Sequence, residues 1–352
     1  MTRRSPLPLL ALAAVVLSLG AGLAPSVRAE PLAGYDRITV TAAHRPTPVA
    51  GSIWYPAGTQ TYRAPIGDGP LFVSTYALVG AGMAPGSHPL VLLSHGSGGN
   101  MDGLGWLSSR LALRGAIVLA VNHPGSYSGD SSPRRTLRLD ERAADLTAAL
   151  DQLLADPDFA PFIDRDRISV LGFSLGGSTA LNLAGVRFDR SRYRDYCARF
   201  PTQGDCTFFA KGGVDFAKLP PGFEAETRDA RIGAAVAIDP GLTDAATPES
   251  LATVSIPVLL INLGGAERWR GIDLSAAGSD LVERLPAALY RVAAPANHFT
   301  MLGLCKPGGA ERLAEEGDDP ICNDPPGTDR AHIHEEIAAT VATFLKLDTP
   351  AP

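Results

Sequence analysis

Short, almost wholly apolar runs alternate along this chain with longer stretches whose apolar residues recur every three or four positions. The runs at 89–93, 116–121, 168–171, 232–238 and 256–262 show little polar face, the pattern of strands buried on both sides, and 288–292 predicts a further strand. Between them, Leu104, Leu107 and Leu111 keep helical spacing up to Gly115. So do Ala143, Leu146, Leu150, Leu153 and Leu154 up to Asp156-Pro157. A last stripe, Ile333, Ile337, Val341, Phe344 and Leu345, predicts a terminal helix. Buried strands alternating with amphipathic helices define an α/β chain: a mostly parallel sheet covered on both faces, with its chemistry at the carboxyl ends of the strands.

Three regions break this rhythm. Residues 37–41 and 51–55 cluster β-formers around a turn and predict an antiparallel pair at the sheet edge. Residues 58–88 are rich in Gly, Pro and Ala, without period, and read as a surface excursion. Residues 188–231 hold Arg, aromatic residues, two cysteines and Pro220-Pro221-Gly222. A connection this long predicts a cap-like insertion that shapes a pocket, with Phe208 and Phe209 either facing it or packing inside the cap. The chain carries no internal repeat, and 349–352 reads as a frayed tail.

The strand at 168 stops at Gly172-Phe173-Ser174-Leu175-Gly176-Gly177, from which a helix continues. In a strand, Gly-x-Ser-x-Gly turn and helix, the serine sits strained at the tip, and glycines on either side avoid collision with neighbouring backbone. Ser174 is therefore the expected nucleophile. The N–H of Leu175, at the positive end of the helix dipole, is an expected oxyanion donor. The strand at 89 ends in Ser94-His95-Gly96-Ser97-Gly98-Gly99, a loop able to turn a second N–H toward the same oxygen, and Ser97 is placed to supply it. His95 and His123 precede the nucleophile and read as braces for their loops.

A serine hydroxyl needs a base, and the imidazole needs a carboxylate on its other nitrogen. In such a sheet the order is Ser, acid, His. His298, just past the strand at 288, is the expected base; His332 and His334 flank Ile333 on the last helix. Asp239, directly at the end of the strand at 232, is the expected acid. Glu267, beyond two glycines after the strand at 256, is the alternative, and Asp273 and Asp280 are remote options.

The first residues add an address. Arg3 and Arg4 precede an apolar run from Leu9 to Leu23, and Val27-Arg28-Ala29 offers small residues to a signal peptidase. Residues 1–29 are thus expected to be a signal peptide, leaving 30–352 as a single domain, secreted or periplasmic, with no stable membrane anchor. Losing three arginines and no acid takes the formal charge from −6 to −9, which argues against nucleic-acid binding. In an oxidising compartment the four cysteines are expected as disulfides. Cys197–Cys206 and Cys305–Cys322 close the short local loops. Their spacing lacks a metal-ligand pattern, and the chemistry needs no metal or cofactor.

Ser-Ile-Trp-Tyr-Pro, His-Pro-Leu-Val-Leu-Leu-Ser-His-Gly-Ser-Gly-Gly, Val-Asn-His-Pro-Gly, Gly-Phe-Ser-Leu-Gly-Gly and Ala-Asn-His-Phe stand in this order from about residue 51 to 345. Together they resemble the bacterial dienelactone-hydrolase-like branch of the α/β-hydrolases, related to platelet-activating-factor acetylhydrolases. The resemblance implies the α/β-hydrolase fold and a serine esterase acting on a small-molecule ester with a small or short-chain acyl group. It also implies an acid after the strand that follows the elbow helix, at Asp239. Many α/β-hydrolases instead use the next strand, near Glu267. Cys305 and Cys322-Asn-Asp-Pro-Pro-Gly look like the same branch. True dienelactone hydrolases carry cysteine where this chain has Ser174, so that reaction is not implied. Acyl transfer and amide hydrolysis through the same residues are the enzymatic alternatives, and a non-catalytic binding protein on the same fold is the third.

Overall fold

The apolar runs become strands of one sheet, and the periodic stretches become the helices that cover it. In chain order the first elements are β1 (Gly34–Val40), β2 (Val49–Tyr55), β3 (Arg63–Ile66), β4 (Thr75–Val79), β5 (His88–Ser94), α1 (Gly105–Ala112) and β6 (Ile117–Val121). A small ribbon of β7 (Ser126–Tyr127) and β8 (Asp130–Ser131) precedes α2 (Pro133–Thr136), α3 (Leu139–Ala155), β9 (Ile163–Phe173) and α4 (Leu175–Leu183). Then come α5 (Arg190–Arg199), α6 (Gly204–Lys211), β10 (Ala234–Ile238), α7 (Pro248–Thr253), β11 (Val258–Leu263), α8 (Leu281–Arg284), β12 (Ala288–Ala293), α9 (Gly309–Glu316) and α10 (Arg330–Phe344). This computed structural model describes residues 1–2, 30–286 and 288–347. The expected leader lies outside them apart from its first two residues, as does the expected tail. The account below concerns the unit beginning at Leu32.

The sheet has ten strands in the order β12-β11-β10-β9-β5-β6-β2-β1-β4-β3. From β12 to β6 all neighbours are parallel, while β2 runs antiparallel to both β6 and β1. Alternate residues of each strand feed two separate cores. Leu90, Leu92, Ile117 and Leu119 meet α3 and α4 on one face. Val91, Leu93, Val118 and Ala120 meet α1 and α10 on the other. The strand order reverses direction of growth between β5 and β9, which opens a crevice at their carboxyl ends.

The structure changes the reading of two segments. Residues 58–88 are more than an excursion: β3 and β4 extend the sheet, so the pair β1–β2 lies inside it instead of at its edge. The strands are four and five residues long, too short for their alternation to register among the glycines and prolines. Residues 188–231 form α5, α6 and two 3-10 turns, joined by the disulfide Cys197–Cys206. Tyr193 is the hub of this small lobe, with rings of Tyr196, Phe209, Phe216 and Phe223 around it. Phe209 is buried in it and Phe208 is exposed.

Candidate active site

Ser174 follows β9 directly and opens α4, with φ 56° and ψ −123°, a left-handed-side conformation that non-glycine residues rarely adopt. The turn is that tight because its neighbours have no side chains. A Cβ at Gly172 would lie 1.9 Å from the Gly176 carbonyl oxygen, and one at Gly176 would lie 1.9 Å from that of Ser94. The Ser174 N–H donates to Ile238 O at 2.9 Å, tying the elbow to the end of β10. The next N–H, of Leu175, lies in the first turn of α4, where the carbonyl four residues back belongs to β9 and not to the helix.

Asp239 is the first residue after β10, also at positive φ (43°), and its carboxylate is fully buried. Oδ2 accepts from His298 Nδ1 at 3.0 Å, and Oδ1 accepts from Asn262 Nδ2 and the Leu263 N–H, both at 2.8 Å. His298 begins a 3-10 turn, His298–Met301, which Asn297 caps by accepting from the N–H groups of Phe299 and Thr300. With Nδ1 donating to Asp239, His298 Nε2 is left to accept from Ser174 Oγ at 3.0 Å. The structure thus brings together Ser174, His298 and Asp239, drawn from three strand ends 124 and 59 residues apart in sequence.

Glu267 is not part of this chain of hydrogen bonds. Its side chain is exposed and curls back to accept from the Gly265 N–H at 3.1 Å. Asp273 pairs with Arg268 at 2.8 Å, and Asp280 precedes α8 in a left-handed conformation. Of the later histidines, His332 is exposed. His334 is buried, its ring stacked on Trp106 at 3.7 Å and its Nε2 donating to Thr300 O at 2.8 Å; burial pulls its pKa down to about 4.

The loop after β5 lies against Ser174: a Cβ at Gly96 would come within 3.1 Å of the Ser174 Cβ. His95 is buried, donates from Nδ1 to Gly96 O at 2.7 Å and accepts on Nε2 from the His123 N–H at 3.2 Å. Burial first, and the positive neighbourhood second, hold its imidazole neutral. The loop is pinned further by Gly98 N–H to Ser126 O (2.8 Å) and Ser128 N–H to Gly99 O (2.7 Å). Ser97 stands at its exposed tip.

A cavity of about 960 Å³ opens beside Ser174 and His298. Its far wall comes from residues 65–75 and 302–321, and none of the described residues of 188–231 lines it. The expectation that the insertion shapes the pocket is corrected accordingly: it packs on α3 and on residues 243–245. The two wall segments are stitched into one rim. Val73 N–H donates to Leu304 O and Lys306 N–H to Leu71 O, at 2.7 and 2.8 Å, and the Cys305–Cys322 disulfide closes the second segment. Among the described residues no group of His, Cys, Asp or Glu is arranged to hold a metal ion, and no helix is long and apolar enough to cross a membrane.

Sequence reasoning passed over Asn262, which ends the apolar run of β11 and anchors Asp239. A lone polar residue closing a buried strand was the available signal. It also passed over Arg142 and Asp145, two charged residues set on the apolar stripe of α3, both buried.

A sequence profile described as "Alpha/beta hydrolase family" matches residues 90–346. Lipase 1 of Moraxella sp. (strain TA144) is 38% identical over 82 residues, covering 23% of each chain. Cutinase est2 of Thermobifida alba is 29% identical over 141 residues, 40% of this chain and 35% of that one. The matched stretch therefore spans about a quarter to a third of those proteins. Among solved structures, the ferulic acid esterase from Streptomyces cinnamoneus superposes with a TM-score of 0.59 at 20% identity, covering 94% of both chains.

Proposed function

The chain belongs to the alpha/beta hydrolase family, and from that premise we propose that it is an exported serine hydrolase of carboxylic esters. The observation that carries this is the unbroken line Asp239 Oδ2, His298, Ser174 Oγ, at 3.0 Å on each side of the imidazole. Ser174 attacks the ester carbonyl while His298 Nε2 takes its proton; Asp239 holds the ring in the tautomer that makes Nε2 the base and stabilises the imidazolium. The N–H groups of Leu175 and Ser97 receive the oxygen that becomes negative. His298 returns the proton to the leaving alcohol, and water, activated by the same nitrogen, then releases the acyl group from Ser174.

The relatives named lipase, cutinase and ferulic acid esterase support ester bonds over amides. The cavity mixes Phe72, Phe173 and Leu302 with Asp68, Ser74 and Asp102, and it is the family resemblance of the sequence motifs that favours small or short-chain acyl groups. Two disulfides and the apolar N-terminal stretch support export with removal of residues 1–29.

The test is intact mass after exposure to a fluorophosphonate, beside Ser174→Ala, followed by a series of 4-nitrophenyl esters from acetate to decanoate. One adduct on the wild type, none on the variant, and fastest turnover at the short end are expected. A folded wild type that takes no adduct would end the hydrolase reading; fastest turnover on decanoate would end the short-chain one.

A further inference from the structure

Among the described residues, Arg142 is the largest charged side chain sealed inside, 2% exposed on the inner face of α3. Burial lowers its pKa to about 9, which leaves it charged at neutral pH. A buried guanidinium must spend its donors well, and this one reaches three separate parts of the chain. Nε donates to Thr179 Oγ1 at 3.0 Å, on the nucleophile helix α4. One terminal nitrogen donates to Ser126 Oγ, in the loop beyond β6. The other donates to Ser94 Oγ at 3.1 Å and to the His95 carbonyl, at the end of β5.

The acceptors are themselves held. Thr179 Oγ1 donates to Leu175 O at 3.1 Å, so the guanidinium is one hydrogen bond away from the residue that opens α4. Ser94 lies in a second Ser, His, Asp line: Ser94 Oγ to His123 Nε2 and His123 Nδ1 to Asp145 Oδ2, each 3.0 Å. It repeats the spacing of the line at Ser174, but all three residues are 0% exposed, so no substrate reaches it. With His123 Nδ1 donating to Asp145, Nε2 accepts a hydrogen bond from the Ser94 hydroxyl, and the oxygen of Ser94 is free to accept from Arg142. Asp145 is held ionised by Arg45 and His123, against the cost of its burial, and balances the buried charge.

The two ends of this span matter together. His95 and Gly96 lead into Ser97, and Leu175 follows Ser174; both N–H groups must lie within about 3 Å of one oxygen to stabilise it. We propose that Arg142 is a positioning residue that sets the separation between the loop carrying the Ser97 N–H and the helix carrying the Leu175 N–H. This rests on the ester-hydrolase reading above. Arg142 touches neither substrate nor triad; it acts through Thr179, Ser94 and His95.

Arg142→Lys keeps the charge and loses the fork, Arg142→Met loses both, and Thr179→Val removes one acceptor without changing shape. The Arg142 variants are expected to lose about 10²-fold in kcat and Thr179→Val roughly tenfold, since losing an oxyanion donor outright costs about 10²–10³. KM and the acid limb of the pH profile stay where they are. The Ki of a short-chain alkyl trifluoromethyl ketone, which forms an oxyanion on Ser174, rises by the same factors as kcat falls. A folded Thr179→Val variant with kcat and Ki within twofold of wild type overturns the assignment, even if the Arg142 variants fail to fold. So does a loss of kcat that comes with a moved acid limb. Wild type that takes no fluorophosphonate adduct sinks the hydrolase reading instead, whereas a labelled wild type beside a full-rate Thr179→Val sinks Arg142 alone.

Discussion

Replacing Asp239 by Asn changes one atom in a buried pocket, and the surroundings dictate how the amide sits. Oδ1 receives two donors, Asn262 Nδ2 and the Leu263 N–H, both at 2.8 Å. Asn262 cannot turn its amide to oblige, because its other donor is spent on Ile272 O and its oxygen accepts from Leu274 N–H and Tyr290 Oη. The new residue must therefore keep its oxygen at that place and set its NH2 where Oδ2 was, 3.0 Å from His298 Nδ1. Two N–H donors cannot face each other there, so the imidazole carries its proton on Nε2 and points it at Ser174. The base is gone although shape and burial are unchanged. The same exchange of tautomer in serine proteases costs about 10⁴ in kcat, about 5.5 kcal/mol of transition-state stabilisation at 1.36 kcal/mol per tenfold. The hydrogen bonds that turn from charged to neutral cost about 1–2 kcal/mol of stability. Initial rates on a short-chain 4-nitrophenyl ester, with folding checked by near-ultraviolet circular dichroism, measure the loss. Asp239→Asn retaining more than a tenth of wild-type kcat would refute the reasoning, as would an equal loss in Glu267→Gln.

Three further outcomes follow from the geometry. Ser174→Gly removes a side chain from φ 56°, so thermal unfolding should show a gain of about 1 kcal/mol together with complete loss of labelling; an unchanged midpoint would mean that the elbow stores no strain. Cys305→Ser with Cys322→Ser frees a cavity wall and should raise KM several-fold besides costing ~3 kcal/mol, whereas Cys197→Ser with Cys206→Ser should cost stability and leave KM alone; equal KM effects would contradict the observed lining. His334 is held neutral, with its folded pKa of about 4 below the ordinary 6.5, so on acidification the unfolded chain takes up a proton before the native one does. Its contribution is complete above pH 6.5 and is lost as pH falls toward 4, by about 3 kcal/mol; urea unfolding at pH 7 and 4.5 should show a shallower acid loss in His334→Gln, and parallel losses would show that another group titrates.

The parallel half of the sheet was legible because burial on both faces writes itself into sequence as runs without polar interruption, as at 89–93 and 256–262. The elbow was legible because only glycine fits at 172 and 176. The Ser, Asp and His positions followed from strand ends, and the structure sets them in one hydrogen-bonded line. What escaped depends on contacts distant in sequence. Nothing near Phe72 announces that it will lie across from Cys305, and the short strands β3 and β4 carry too few residues for a period. Arg142 and Asp145 stand on the apolar stripe of α3, and only the distant residues they face give them a role. The length of 188–231 and its place after the serine elbow predict a cap, and neither says on which side of a sheet a loop will settle.

The rim that joins residues 71–73 to 304–306 leaves Ser174 and Asp239 on a separate framework of strand ends, and only the His298 turn, tied to Asn323 and Asp324, adjoins it. Evolution, or a protein engineer, can therefore redraw the shape of the chamber by lengthening or swapping two surface segments, each doubling of loop length costing only about 0.6 kcal/mol in closure entropy. On the proposed function, the shape of the chamber can change without moving Ser174 or Asp239.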